Sequence, residues 1–558
     1  MPTAARLLAL CVLMTGLVAP SARLIAKPRV PEGNPAASPA GEAIYLKGVL
    51  ASGAPLVATR ANAEPLTGEA AACVNCHRRS GLGTSESRNL IPPITGQFLF
   101  HPRGGNAEDL QPPYIPGARL DREPYTDATL ARALREGLDS EGRPLNYLMP
   151  RFALGDADLA ALIAHLRALD RRRVPGVSTT ELHFATIITP DADPEKRRGM
   201  LDVLQQFFID RNAAPRGASA QTMTTSGGTA HVRSMFKVNR RWVLHVWEPT
   251  GPANTWGEQL DKKFAEQPVF AVLSGLAGGN WAPVTDFCER RSVPCLFPNV
   301  EEPPADADRN FHTLYFSRGV RLEADLIAAG LDHAPPGAAA TRVRLVYRAG
   351  DIGEAGAQSL ATQLQARGVG IERRVIPRAA PASAVIAAVR DASVTDAIVL
   401  WLRARDLAAL DDAAPPPNAL YLSGLMGGLD AAPLPTRWRE HAHMAYPVDL
   451  PERRRVRVDY ALAWFRIRKI PVVAEQVQVD THLACGLVSE TVKHMVDAFV
   501  PDYLVERFED TLEHHIITGF YPRLALGPHQ RFASKGGFLV HFDAGRKGLV
   551  PDGEWMTP

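Results

Sequence analysis

Cys73-Val74-Asn75-Cys76-His77 carries the most specific chemistry in the chain. Two thiols at C-x-x-C spacing share one turn and can each add to a vinyl group of a porphyrin. The imidazole that follows then stands under the iron as its proximal ligand. This is the pattern of c-type haem attachment, with Cys73 and Cys76 as thioether donors and His77 as the axial nitrogen. A zinc half-site or a thiol redox pair uses the same Cys spacing. Zinc needs two further ligands at similar spacing, however, and no second Cys pair lies nearby. The opposite face of the iron needs Met, His, Lys or an open position. Met149, in Tyr147-Leu148-Met149-Pro150, is the expected ligand, with His165 and His101 as its competitors.

Particular elements must hold these residues. A short helix is expected at 42–48, ahead of the motif. A second, amphipathic helix follows Met149: Asp156 can cap it, and Leu159, Leu162, Ile163, Leu166 and Leu169 recur at the spacing of one buried face. Taken in order, helix, C-x-x-C-H, Met-Pro and closing helix resemble a class I monohaem cytochrome c. The resemblance implies an all-α domain over 41–172 whose first and last helices cross. It also implies one covalent haem c, ligated by His77 and Met149, that transfers electrons. Pro92-Pro93-Ile94-Thr95-Gly96 resembles the family's P-x-L-x-G loop, so the Pro92 carbonyl is expected to accept the His77 ring N–H and fix its tautomer. Two features depart from the family: a long insertion at 49–72, and His165 where an aromatic residue is common.

At 558 residues the chain is too long for one cytochrome. Hydrophobic content of 46% and a formal charge of +2 describe an ordinary globular protein and recruit neither nucleic acid nor an anionic membrane. The runs Arg171-Arg172-Arg173 and Arg453-Arg454-Arg455 read as solvated surface, a linker or a helix start. Arg6, the apolar run 7–18 and the small residues after it have the layout of a signal peptide over 1–26. The run falls short of the ~20 residues of a membrane span, and no comparable run follows. A soluble protein exported to the periplasm is expected, the compartment in which such haem motifs are loaded. Of the six cysteines, Cys288 and Cys295 could pair there as a disulfide, leaving Cys485 odd.

Residues 27–40 read as a leader linker and 173–180 as a second linker. Beyond them strands and helices alternate: strands at 182–189, 242–247, 269–273, 293–297, 343–348, 370–376, 397–402 and 537–542 imply parallel sheets with both faces covered. Two α/β lobes with a late return of the chain resemble a type I periplasmic solute-binding protein, leucine-binding-like, over 181–558. That resemblance implies a ligand between lobes that exchange near 334–341, 444–450 and 519–530. Ligands in such sheets sit at the carboxyl ends of strands. The candidates there are Thr189, Asp191, Ser274, Gly275, Asp351, Arg403 and Ser423, each of which serves equally well as a turn residue or helix cap.

No hydrolase, zinc-protease or phosphate-loop motif appears, and an iron capped by Met149 has no open position for substrate. An exported electron carrier is therefore expected rather than an enzyme, with a periplasmic redox partner protein and a module that binds a small molecule or docks a partner. The alternatives are a solute-binding component of a transport system with an accessory haem domain, and a haem-linked oxidoreductase subunit with its substrate in the interlobe cleft.

Overall fold

The computed structural model describes residues 38–60, 63–86, 89–100, 122–169, 174–213, 240–332, 342–390, 396–410, 419–495, 498–543 and 548–558. The expected leader, Cys11, His101, the run at Arg171 and the exchange at 334–341 lie outside the described residues. Residues 37–558 form one compact body. Among the described residues no helix is long and apolar enough to cross a membrane.

The N-terminal part is built on two crossing helices, Pro39–Lys47 and Asp156–Ala168. Ser38 caps the first by accepting from the Gly41 N–H at 3.2 Å. Gly41 marks the crossing: a Cβ there would lie 2.1 Å from the Ala161 carbonyl oxygen, so only glycine lets the backbones approach this closely. Ile44, Tyr45, Leu159, Leu162, Ile163 and Leu166 form the core between the helices. Asp156 does not cap the closing helix. Gly155 occupies that position, and the Asp156 carboxylate reaches Arg135 at 2.7 Å instead.

The region is not all-α as expected. Strands β1 (Val57–Thr59), β2 (Leu66–Thr67), β3 (Thr84–Glu86), β4 (Asn89–Ile91) and β5 (Arg151–Phe152) interrupt the helices. β1 pairs antiparallel with both β2 and β5, and β3 with β4. The insertion at 49–72 supplies β1 and β2. It buries Leu56 and Ala58, and its backbone groups, taken from water, find partners across the strands. β5 directly follows Met149-Pro150, so the small sheet also anchors that loop.

Residues 173–180 are not a free linker. The Gly176 carbonyl accepts from His183 N–H at 2.8 Å, and Val174 and Val177 pack against the core that follows. Lobe one is a five-stranded parallel sheet of β6 (Glu181–Ile187), β7 (Arg241–Trp247), β8 (Ala271–Leu273), β9 (Cys295–Leu296) and β10 (Thr313–Leu314), in the order β10-β9-β8-β6-β7. Lobe two holds β11 (Arg342–Arg348), β12 (Gly370–Ile376), β13 (Asp396–Trp401), β14 (Leu420–Ser423), β15 (Ala442–Tyr446), β16 (Phe538–Asp543) and β17 (Gly548–Pro551), in the order β12-β11-β13-β14-β15-β16-β17. The first five pair in parallel, and β16 and β17 join antiparallel. Ile398, Val399 and Leu400 of β13 are all fully buried, the mark of a strand covered on both faces.

The exchanges between lobes differ in part from expectation. Helix Val320–Asp332 already packs in the core of lobe two with Leu345, Leu360 and Val399. The chain therefore leaves lobe one at 315–319, before the expected 334–341. The second exchange runs through 447–450, and the Asp449 N–H donates to the Phe520 carbonyl at 2.8 Å. The third continues past 519–530 to Ser534, whose N–H donates to the Phe316 carbonyl at 2.6 Å. Cys288 and Cys295 are buried free thiols rather than a disulfide. They touch inside lobe one, where burial pushes the Cys288 thiol well above its ordinary pKa. The run at Arg453 does start a helix, Pro451–Arg468, and Arg453 and Arg455 face water, but Arg454 between them turns inward.

Candidate functional site

Cys73 opens a single helical turn, Val74–His77, in which the His77 N–H donates to the Cys73 carbonyl at 2.9 Å. The turn places Cys73, Cys76 and His77 on the wall of one cavity of about 680 Å³. The His77 Nδ1 lies 3.0 Å from the Pro92 carbonyl oxygen, so Nδ1 carries the proton and Nε2 keeps its lone pair. Burial lowers the His77 pKa to about 4 against the raising effect of that carbonyl, and the ring is neutral at pH 7. Burial pushes the Cys73 thiol up to about 12.

Met149 lines the same cavity, held by the turn in which its N–H donates to the Asn146 carbonyl at 2.9 Å and by β5 after it. Apolar walls come from Ile91, Ile94, Leu99, Leu130, Leu134 and Leu162. At the edge stands Arg60, whose buried Nε has no hydrogen-bond partner. His165 is not among the lining residues; it packs against the Tyr45 ring at 5.2 Å between centroids. Among the described residues no three His, Cys, Asp or Glu side chains gather to hold a metal ion, so the Cys pair lacks the further ligands that zinc takes. The donor set of two thiols, one neutral imidazole and one thioether on the wall of a largely apolar cavity fits an iron porphyrin, and the unpartnered Nε of Arg60 suits an acidic group on it.

The turn is fastened to the rest of the body. Arg78 reaches Glu509 at 2.6 Å and Arg79 reaches Asp502 at 3.2 Å, both acids on helix Pro501–Thr511. Glu506 of that helix accepts from the Ser80 N–H at 2.8 Å and from the Ser80 hydroxyl at 2.5 Å. Burial raises the Glu506 pKa to about 8.

A second cavity, of about 410 Å³, lies between the lobes. None of the seven residues expected to line it does so. Their polar atoms are consumed nearby. Thr189 donates to Asp191 at 2.5 Å, and Gly278 N–H donates to Asp191 at 3.3 Å, tying two lobe-one loops together. Ser274 accepts from Asn299 at 2.9 Å and meets Thr481 at 3.3 Å, while Gly275 takes a left-handed φ of 130° against Trp281. Ser423 donates to Glu323, which also accepts from Leu425 N–H at 2.8 Å. Burial raises the Glu323 pKa to about 8. Arg403 of lobe two binds Asp351 at 2.7 Å and crosses to Glu301 of lobe one at 3.0 Å, beside Lys196 at 2.7 Å from the same carboxylate.

The residues that do line the cavity include Leu276 and Leu425, the last residues of the strand-end segments that begin at Ser274 and Ser423, and Arg454, Glu475, Asp480 and Tyr521, which the strand-end rule does not reach. Helix Glu475–Met495 brings Glu475 and Asp480 into the cavity wall. Its start is hidden in the sequence because Gln478, and not an N-cap residue, accepts from Val473 and Ala474 N–H at 2.8 and 3.0 Å.

Comparison with solved structures finds this two-lobed α/β fold in periplasmic binding proteins. A branched chain amino acid ABC transporter protein from Thermus thermophilus, solved with bound valine, superposes with a TM-score of 0.50 at 11% identity, covering 68% of this chain and 97% of that one. A substrate-binding periplasmic protein from Ralstonia solanacearum gives a TM-score of 0.49 at 12% identity, over 67% of this chain and 100% of its own. At such identities the likeness shows the fold alone. No family model matches the chain. No curated protein matches it either.

Proposed function

We propose that this chain is an exported electron-transfer protein that carries one covalent haem c and joins it to a module binding a small molecule between two lobes. The observation that carries the reading is the 3.0 Å contact from His77 Nδ1 to the Pro92 carbonyl inside a cavity that Cys73, Cys76 and Met149 also line. When bound, the haem would supply one-electron exchange between ferric and ferrous iron. Cys73 and Cys76 would tether it, and His77 Nε2 and the Met149 sulfur would hold its iron. The Pro92 carbonyl fixes the His77 tautomer and strengthens the ring as a donor. The leucine-rich walls exclude water, and Arg60 would bind an acidic edge. A periplasmic redox partner would exchange electrons with it.

The test is expression in a host that matures c-type cytochromes. The expected outcome is one covalently bound, low-spin haem per chain, whose methionine–iron absorption band disappears in Met149→Ala. A holoprotein whose spectrum is unchanged by Met149→Ala overturns the ligand set. A protein that takes up no covalent haem overturns the reading itself.

The interlobe cavity favours a second reading, in which ligand binding is the main task and the haem is accessory. Solved proteins of this fold include one named for branched-chain amino acid transport, with valine bound. A ligand found in a metabolite screen that closes the lobes and leaves the haem potential unchanged favours this reading. A ligand that shifts the potential favours the first.

A further inference from the structure

The charges around the interlobe cavity do not balance, and the imbalance points to a class of ligand. Four acids line it: Glu301, Asp430, Glu475 and Asp480, with Lys196 and Arg454 as the basic side chains. Glu301 is paired twice over, with Lys196 at 2.7 Å and Arg403 at 3.0 Å. Arg454 is committed to Asp430 at 2.8 Å, to the Asp449 carbonyl at 2.7 Å and to the Tyr446 hydroxyl at 2.5 Å. Glu475 and Asp480 are left over. Among the described residues no lysine or arginine stands within ion-pair distance of either. Asp480 is 5% exposed, its Oδ2 accepts from the Tyr521 hydroxyl at 3.3 Å, and its buried Oδ1 has no partner within hydrogen-bond geometry; the Gln476 amide and the Arg454 charge favour its ionised form only from farther off, against a larger burial penalty. A buried carboxylate oxygen without a partner costs free energy that a cationic donor restores.

We propose that the cavity takes a compact ligand bearing an ammonium group, with Asp480 as its direct counter-ion and Glu475 as a second acceptor, and that it discriminates against free carboxylates. The cavity's own cations are already consumed by Glu301 and Asp430, so an acidic group on the ligand would find no unpaired base. This rests on the reading that a small molecule binds between the lobes, and it names the chemistry of that molecule.

The experiment titrates the full holoprotein by calorimetry with isoamylamine, isoamyl alcohol, isovalerate and valine, beside a general metabolite screen read by melting temperature. Isoamylamine is expected to bind at least about tenfold more tightly than its alcohol, with isovalerate weaker still. Asp480→Asn, which keeps the shape, is expected to weaken the amine about 30-fold or more and to leave the alcohol unchanged. Glu475→Gln, on a more exposed residue, is expected to weaken the amine less, and serves if Asp480→Asn does not fold. Equal binding of isovalerate or valine, or amine binding unaffected by both substitutions, overturns the ammonium assignment. If the screen finds only neutral or anionic ligands, this proposal falls while the binding-cleft reading stands. If nothing in the panel or the screen raises the melting temperature, both fall.

Discussion

Arg78, the residue immediately after His77, holds the carboxylate of Glu509 at 2.6 Å across 431 positions of sequence. The other oxygen of Glu509 is held by Arg531 at 2.6 Å, in the third connection between the lobes. The turn that bears the haem motif and the chain that links the lobes therefore grip one buried carboxylate from two sides. All three side chains are largely withdrawn from water, Arg78 at 11% and Glu509 at 3% exposed.

Removing one member of that group should be costly. Glu509→Gln is expected to destabilise the protein by about 3 kcal/mol, because it leaves Arg531 buried without its anion and Arg78 with only the longer contact to Asp510 at 3.5 Å. Urea unfolding of the variant and the parent, fitted to the midpoint, measures this. A change within a few tenths of a kcal/mol would show that solvent replaces the contact.

Three buried acids give the stability a pH dependence of predictable sign. Glu506, Glu323 and Asp480 are each raised by burial to about 8. The folded state thus keeps protons that the unfolded chain releases above its ordinary carboxyl range, and stability is lost as pH rises from about 4.5 to about 8. Glu506→Gln should flatten part of that fall. Melting temperatures at pH 5 and pH 8 are the measurement, and a variant with the parent's slope would refute the assignment.

The same logic makes amine binding pH-dependent. Asp480 faces Tyr521 on the third connection, Arg454 on helix Pro451–Arg468, and Gln476 and Glu475 on its own helix, with Asp430 beyond Arg454. Its carboxyl must lose a proton to pair with an ammonium, so affinity for isoamylamine should rise from pH 6 toward pH 8 and then level off. Calorimetry across that range, in buffers of different ionisation enthalpy, reads the proton released.

Arg403 and Glu301 join the lobes at 3.0 Å with both side chains about a quarter exposed. Arg403→Ala should cost only about 1 kcal/mol of stability, yet it should open the lobes, because the pair spans them. Small-angle scattering should show a larger radius of gyration in the variant than in the parent.

Loss of the attachment cysteines should separate tethering from ligation. Cys73→Ala is expected to hold haem by Cys76 alone, and the double variant Cys73→Ala, Cys76→Ala to lose it on acid extraction. Retention of haem by the double variant after that treatment would place the covalent link elsewhere.

Much of the fold was legible because hydrophobic patterning is local. Leu159, Leu162 and Leu166 marked a helix face, and Ile398, Val399 and Leu400 a covered strand. The β1 and β2 strands of the insertion were not legible, since they are short and β1 completes its pairing with Arg151 and Phe152, far along the chain. The cleft was legible as a place but not as a residue list. The strand-end rule named Ser274 and Ser423, yet their hydroxyls are taken by Asn299 and Glu323, which no local pattern foretells.

The sequence by itself determined the chemistry offered at Cys73, Cys76 and His77, because those groups lie on one turn and their spacing is their geometry. Only the tertiary structure decided what surrounds them and what remains unpaired. Pro92 meets His77, Glu509 meets Arg78, and one oxygen of Asp480 is buried without a hydrogen-bond partner, through packing of residues that the chain's order keeps apart. Burial and charge pairing are properties of the packed body. A sequence lists the charges, and packing determines which of them are left without a partner.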